Sequence, residues 1–228
     1  MIILIIMDKN NIEEKLSELK KSKEILDNLV KRMWEADNQK LFWVDLFCLW
    51  IISRTNLLIA GFSDLLINKN FISSSSLIRL HLDSLLQLFW VWLVDKPHDF
   101  AKHKMDWGQT WHYKDKDWNK MKDWYLRKKF FESEDNKIFL GLKDIYSETS
   151  WFIHFSDKHI LSQISLLKDW KFTMVLSDKM NHIPLNKENE AINAMLLITW
   201  WIIKYINSWI YTKENPHLCK KYKILWKK

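Results

Sequence analysis

Apolar positions recur at helical spacing along most of the chain. Over residues 8–36, Ile12, Leu16, Leu19, Ile25, Leu29 and Met33 mark one face, and lysines and glutamates cover the other, the signature of an amphipathic helix. Residues 39–69 predict a second, far more apolar helix with a break near Gly61. Asn70 and the run Ser73–Ser76 then supply helix-start chemistry, because a short polar side chain can accept from orphan amides. A third helix is expected over about 75–95, stopping before Pro97. It is apolar almost all round, interrupted by one polar stripe at Arg79, Asp83 and Gln87.

The pattern changes at 97–134, which is polar, aromatic and basic and reads as one or two exposed helices around a loop at Gly108. Apolar periodicity returns over about 136–159. ILSQISLL and FTMVLS, separated by KDWK, are the only strand-like runs and predict one short β-hairpin near 160–177. A last long helix is expected from Asn186 to about Tyr211, followed by a basic tail. Neither a repeat nor a linker breaks the pattern, so the expectation is a single all-α domain over 1–228, a bundle of about five to seven helices.

Composition narrows the classes. Gly and Pro occur three times each in 228 residues. That is too few turn residues for an all-β sandwich or barrel, a collagen-like chain or a glycine-rich phosphate loop. No GxGxxG, GxxxxGK[ST] or GxSxG is present. Cys48 lies in an apolar run and Cys219 near the basic end. Two such cysteines make no disulfide framework and no zinc motif, which fits a reducing, cytoplasmic setting. The N-terminal MIILIIM is too short for a membrane span. Two apolar runs reach spanning length, 41–62 and 194–211, but Asp45 and Arg54 interrupt the first and Lys204 the second. Buried helices are therefore expected, with no membrane partner.

Net charge is +7, from 35 Lys+Arg against 28 Asp+Glu. The excess favours anionic partners, although an Ile-, Asn- and Lys-rich composition produces the same excess without selection. Only Arg32, Arg54, Arg79 and Arg127 are arginines, and Arg54 and Arg79 stand in apolar stretches where a charge needs a partner.

Three groupings could carry chemistry. Arg79 and Asp83 share one helix face at i,i+4, as an internal salt bridge or as an arginine aimed at a bound phosphate or carboxylate. Tyr146, Ser150 and His154 fall at i, i+4 and i+8. They line another face, with His154 the best acid–base candidate or a satisfied core histidine. Were these two helices packed together, the five residues would line one ligand-binding pocket. Third, Trp107, Trp111, Trp118 and Trp124, with Arg127, stand among lysines. They suit a nucleic-acid or partner surface, or else cover a bundle edge or dimer interface. Trp43, Trp50, Trp90, Trp92, Trp200 and Trp201 lie in apolar helices and read as core or interface. Histidine pairs stand five apart, His98/His103 and His154/His159; this is the wrong spacing for a shared helical metal site, so neither metal nor cofactor is expected.

The segments SSSSLIRLHLDSLLQLFWVWLVDKP and YSETSWFIHFSDKH resemble bacterial helical proteins related to the HEPN superfamily and to abortive-infection proteins. The resemblance covers about a fifth of the chain and implies an all-helical fold, frequent dimerisation and a setting in phage–host conflict. The superfamily's catalytic Arg followed four to six residues later by His is missing here. Arg79 is followed instead by His81, on another face. The resemblance thus carries over Arg79, Asp83, Tyr146, Ser150 and His154 as the matching polar residues rather than as a nuclease signature. The resulting expectation is a homo-oligomeric binding module or inhibitor without turnover, acting on RNA or a nucleotide. The alternatives are a metal-independent RNA-cleaving toxin, with Arg79 and His154 catalytic, and a purely protein-binding subunit.

Overall fold

A computed structural model describes residues 12–133, 136–153, 164–166, 172–174 and 179–217. The all-helical expectation holds. Seven α-helices are found among the described residues: α1 (Ile12–Glu35), α2 (Trp43–Ile67), α3 (Phe71–Trp90), α4 (Pro97–Met105), α5 (Asp123–Phe131), α6 (Asn136–Ile153) and α7 (Leu185–Glu214). The hairpin is also present, with β1 (Ile164–Leu166) antiparallel to β2 (Phe172–Met174) and Ile164 opposite Met174.

The chain forms two compact units, each assembled from three stretches. One comprises Met1–Lys21, Asn56–Leu82 and Lys137–Ile198; the other comprises Ser22–Thr55, Asp83–Asn136 and Thr199–Lys228. In the first, Leu58, Ile59, Phe62, Leu66, Ile78, Leu82, Leu142, Ile192, Met195 and Ile198 are buried. In the second, the buried set includes Leu26, Met33, Phe47, Ile51, Leu85, Phe100, Leu126, Phe130, Trp201, Ile202 and Ile206. Full burial of one such aliphatic or aromatic side chain contributes about 1.5–3 kcal/mol, so each set supports a core of its own.

Several sequence expectations shift by a turn. On α1 the buried face runs through Leu26 while Ile25 is exposed, because in a helix the neighbouring residue points about 100° away. α2 runs unbroken through Gly61, where a Cβ would sit 3.2 Å from Leu77 Cδ1; the glycine admits a close approach rather than a break. α3 begins at Phe71, earlier than the serines, because Asn70 Oδ1 accepts the Ser73 amide at 3.2 Å. Ser74 and Ser76 instead donate to carbonyls of their own helix. α3 ends at Trp90 and passes into a 3-10 turn over Val91–Leu93.

The α2–α3 turn is a Schellman motif with lysine where glycine is usual. Asn70 N–H donates to Leu65 O at 2.8 Å and Lys69 N–H to Leu66 O at 3.0 Å, with Lys69 at φ 61°. Lys69 is held there from both ends. Its ammonium pairs with buried Glu188 at 2.8 Å, and its carbonyl accepts the Met180 amide at 2.8 Å.

α2 is the one described helix long and apolar enough to cross a membrane, and half of its most apolar window is buried. Of its three charges, Asp64 is exposed and the other two are engaged. Arg54 Nε donates to Ser84 Oγ at 3.0 Å. Asp45 is fully buried and accepts from the Phe42 amide (2.7 Å), the Trp209 indole (2.6 Å) and Lys213 Nζ (3.0 Å). The first of these bonds is half of a capping box at the start of α2. Lys213 in turn donates to Met33 O and Lys40 O, at the end of α1 and in the turn that follows it. Beside this pair, the His98 ring lies 5.5 Å from Phe42 and 5.6 Å from Trp209. Burial lowers the His98 pKa against the opposing pull of the Asp45 and Asp99 carboxylates, and the Lys213 ammonium adds to the lowering.

Replacing Lys213 by Met leaves the Asp45 charge buried and should cost about 3–5 kcal/mol in urea denaturation. Lys31→Met, which loses only the exposed 3.9 Å pair with Glu35, should stay within about 0.5 kcal/mol. His98 predicts a second effect. Its ring is harder to protonate in the fold than in the unfolded chain, where the imidazole titrates near 6.5. Stability is therefore complete above that value and falls as pH drops below it. Urea midpoints between pH 8 and 5 should decline in the native chain and decline less in His98→Leu.

Candidate nucleic-acid interface

The segment joining α4 to α5 displays three tryptophans, with a fourth, Trp124, in the first turn of α5, on a backbone fixed by hydrogen bonds. At the end of α4, Gly108 N–H donates to His103 O at 2.7 Å, closing a Schellman-type turn around Trp107. Trp107 occupies the left-handed position at φ 61° and its side chain is 94% exposed. Gly108 leaves room for the His103 ring, which would otherwise have to move from a Cβ 2.3 Å away. Lys104 Nζ donates to Thr110 Oγ1 at 2.9 Å, and burial lowers its pKa.

The next turn is a three-residue hairpin loop. Lys114 and Lys120 bridge antiparallel, Trp118 N–H donates to Asp115 O at 3.1 Å, and Asp115 N–H donates to Asn119 O at 3.0 Å. That pattern needs one left-handed residue, usually glycine. Here it is Trp118, at φ 63° and 75% exposed.

Asp115 holds this loop together. Its buried carboxylate accepts the amides of Asp117 (3.0 Å) and Asn119 (2.8 Å) and the hydroxyl of Tyr125, from α5. Burial alone would raise its pKa; the hydrogen bonds from Tyr125, Asn119 and Asp117 outweigh that and hold it below the usual carboxylate range. Met121, which donates to Tyr113 O, and the Lys116 amide, which donates to Leu93 O, tie the loop down on either side.

The charges of the segment sort cleanly. Asp117 pairs with Lys129 at 3.5 Å and Asp123 with Arg127 at 3.0 Å. Arg127 is thus engaged within α5 rather than presented alone. Lys114, Lys116, Lys120 and Lys122 are exposed and have no carboxylate partner among the described residues. Lys114 Nζ stands 4.6 Å over the Trp118 ring. Trp111 and Trp124 are also exposed. The result is a stretch of open indole faces interleaved with uncompensated ammonium groups, which suits bases and phosphates of a single strand.

The other predicted site is brought together in part. Arg79 on α3 meets Tyr146 on α6: its Nη2 donates to the phenol oxygen at 2.7 Å, and its guanidinium carbon lies 4.0 Å over the ring centroid. Stacking and hydrogen bonding together fix the plane of the guanidinium. Asp83 is half-buried one turn further along α3. Ser150 donates to Tyr146 O at 2.6 Å, so its proton goes to its own helix. His154 lies outside the described residues. Among the described residues no cluster of three His, Cys, Asp or Glu is arranged to hold a metal.

Sequence reasoning named the four tryptophans but missed the Asp115–Tyr125 anchor and the Asp45–Lys213 pair. The signal for the first was the spacing Asp115, Asp117, Asn119, the composition of a tight polar turn. No protein-family model, curated protein or solved structure matches the chain.

Tyr125→Phe should remove a hydrogen bond to a charged acceptor and raise amide exchange at Asp117–Asn119, with helix content unchanged. The anchor is complete above the ordinary carboxylate value of 3.8. It is lost as pH falls below that value, so indole fluorescence should change in stronger acid and do so at higher pH in Tyr125→Phe.

Proposed function

We propose that this chain is a non-catalytic RNA-binding module, engaging single-stranded RNA through the α4–α5 segment. One observation carries the reading. The two most exposed tryptophans among the described residues, Trp107 and Trp118, both occupy left-handed positions that glycine ordinarily fills. A non-glycine residue there costs about 1–2 kcal/mol, and an open indole forgoes burial as well. Strain held at a solvent-facing aromatic points to display. Four indoles spread from the end of α4 to the start of α5 suit several successive bases better than one nucleotide, and Lys114, Lys116, Lys120 and Lys122 suit the phosphates between them.

The proposal rests on this segment rather than on Arg79 and its neighbours. The Arg79 guanidinium is engaged by the ring and the hydroxyl of Tyr146. The setting we propose, phage–host conflict inside the cell, comes from the HEPN-like resemblance.

Labelled single-stranded RNA in chelator tests this. It should bind and stay intact. Trp107→Ala and Trp118→Ala should each weaken binding by about 1–3 kcal/mol. Replacing any of the four lysines should flatten the log–log salt dependence by about 0.7 for each phosphate that the lysine neutralises. Undiminished binding by the Trp107→Ala/Trp118→Ala protein would remove the proposal. Cleavage that disappears in His154→Ala would replace it with the RNA-cleaving toxin, and a stable hetero-complex without RNA affinity with the protein-binding subunit.

A further inference from the structure

We propose that the exposed face of α2 is where a second copy of this chain docks, helix against helix and antiparallel. Residues 43, 46, 50, 53, 57, 60, 64 and 67 alternate spacings of three and four, the a and d positions of a coiled-coil seam. They read Trp, Leu, Trp, Ser, Leu, Ala, Asp, Ile. In an ordinary amphipathic helix this stripe would be covered. Here Trp43 is 40% exposed, Trp50 50%, Leu57 73% and Ile67 57%. Ser53, Ala60 and Asp64 are exposed and Leu46 is half-buried.

The order of large and small residues selects the occupant and its direction. In an antiparallel pair each a position faces a d position of the other copy. Trp43 then meets Ile67 at each end, Asp64 meets Leu46 one layer in, and Trp50 meets Ala60 and Leu57 meets Ser53 in the middle. Each bulky residue in the middle layers finds a small one, so the seam closes without overlap or void. A parallel pair would set Trp50 on Trp50 and Ala60 on Ala60, a clash followed by a gap. The same face presented twice under a two-fold axis is an isologous interface.

The area agrees. An aromatic side chain buries about 150–250 Å² when fully covered. On that scale the four large exposed residues would hide roughly 500 Å². Half-buried Leu46, Leu49, Arg54 and Asn56 flank them, towards the roughly 800 Å² per partner of a stable interface. A lipid surface fits less well, because Asp64 and Ser53 lie within the stripe.

Sedimentation equilibrium of the full chain should show a monomer–dimer equilibrium. Trp50→Glu and Leu57→Glu should each raise the dissociation constant more than about tenfold with circular dichroism unchanged. The register is tested in a Cys219→Ser background. Trp50→Cys/Ala60→Cys should give a covalent dimer on mild oxidation, whereas either cysteine alone should give none. A chain monomeric throughout the micromolar range overturns the proposal. So do a dimer indifferent to both glutamates, cross-linking by the single cysteines, or co-flotation with phosphatidylcholine vesicles in place of dimerisation.

Discussion

The second unit is tied together by one buried ion pair, Asp45 with Lys213 at 3.0 Å. Burying two charges costs several kcal/mol per ion unless every remaining donor and acceptor is engaged. Here they are. The carboxylate closes the start of α2 through the Phe42 amide and takes the Trp209 indole proton. The ammonium takes the Met33 carbonyl, left over at the end of α1, and the Lys40 carbonyl. Two helix ends and the last turns of α7 therefore meet at a single point, and the register of three helices follows from it. It also sets the environment of His98, which heads α4 and so the displayed segment beyond it.

A second constraint is the shortage of glycine. None of the three glycines has positive φ; Asp37, Asn38, Gln39, Lys69, Trp107 and Trp118 take the left-handed positions instead. Each must be held by something other than backbone freedom. For Lys69 the holder is visible in the Glu188 pair and the Met180 amide. For Trp118 it is the Asp115 carboxylate, which organises the turn from within. For Trp107 it is the Gly108 amide, which donates to the His103 carbonyl and closes the turn around it. In the first case the side chain takes part in the hold. The two indoles are largely open to solvent instead, Trp118 with only the Lys114 ammonium over its ring among the described residues.

Much of the fold was legible because helical periodicity is a local property. The helices, the hairpin and the end before Pro97 all follow from spacing and turn residues. The meeting of Arg79 with Tyr146 was legible as well, since two polar stripes in apolar helices have few places to go. The Asp45–Lys213 pair was not, because it joins residues 168 apart and periodicity carries no information on partners. The Asp115 anchor was hidden for the opposite reason. Its partners are local, but alternating Lys and Asp reads as a solvated surface, and only geometry distinguishes a carboxylate turned inward. α2 was legible only in part: a helix so apolar hides which of its faces is uncovered, so Trp43 and Trp50 read as core or interface without distinction, and both are half open.

The tryptophans divide by what holds them. Trp201 is buried and Trp209 is buried with its indole proton on Asp45, so packing and hydrogen bonding account for both. Trp43 and Trp50 stand half open on a regular helix, where backbone geometry asks nothing of them and only an incomplete surface explains the composition. Trp107 and Trp118 are more exposed still, on backbone that a glycine would adopt without strain. Codon bias accounts for a surplus of lysine, but it places no indole selectively at left-handed turns. The two open groups differ in character: the α2 stripe has no lysine within it, whereas the loop alternates indoles with ammonium groups that no carboxylate offsets. An apolar seam with small residues opposite large ones suits another rigid helix, and separated indoles among cations suit a flexible anionic strand.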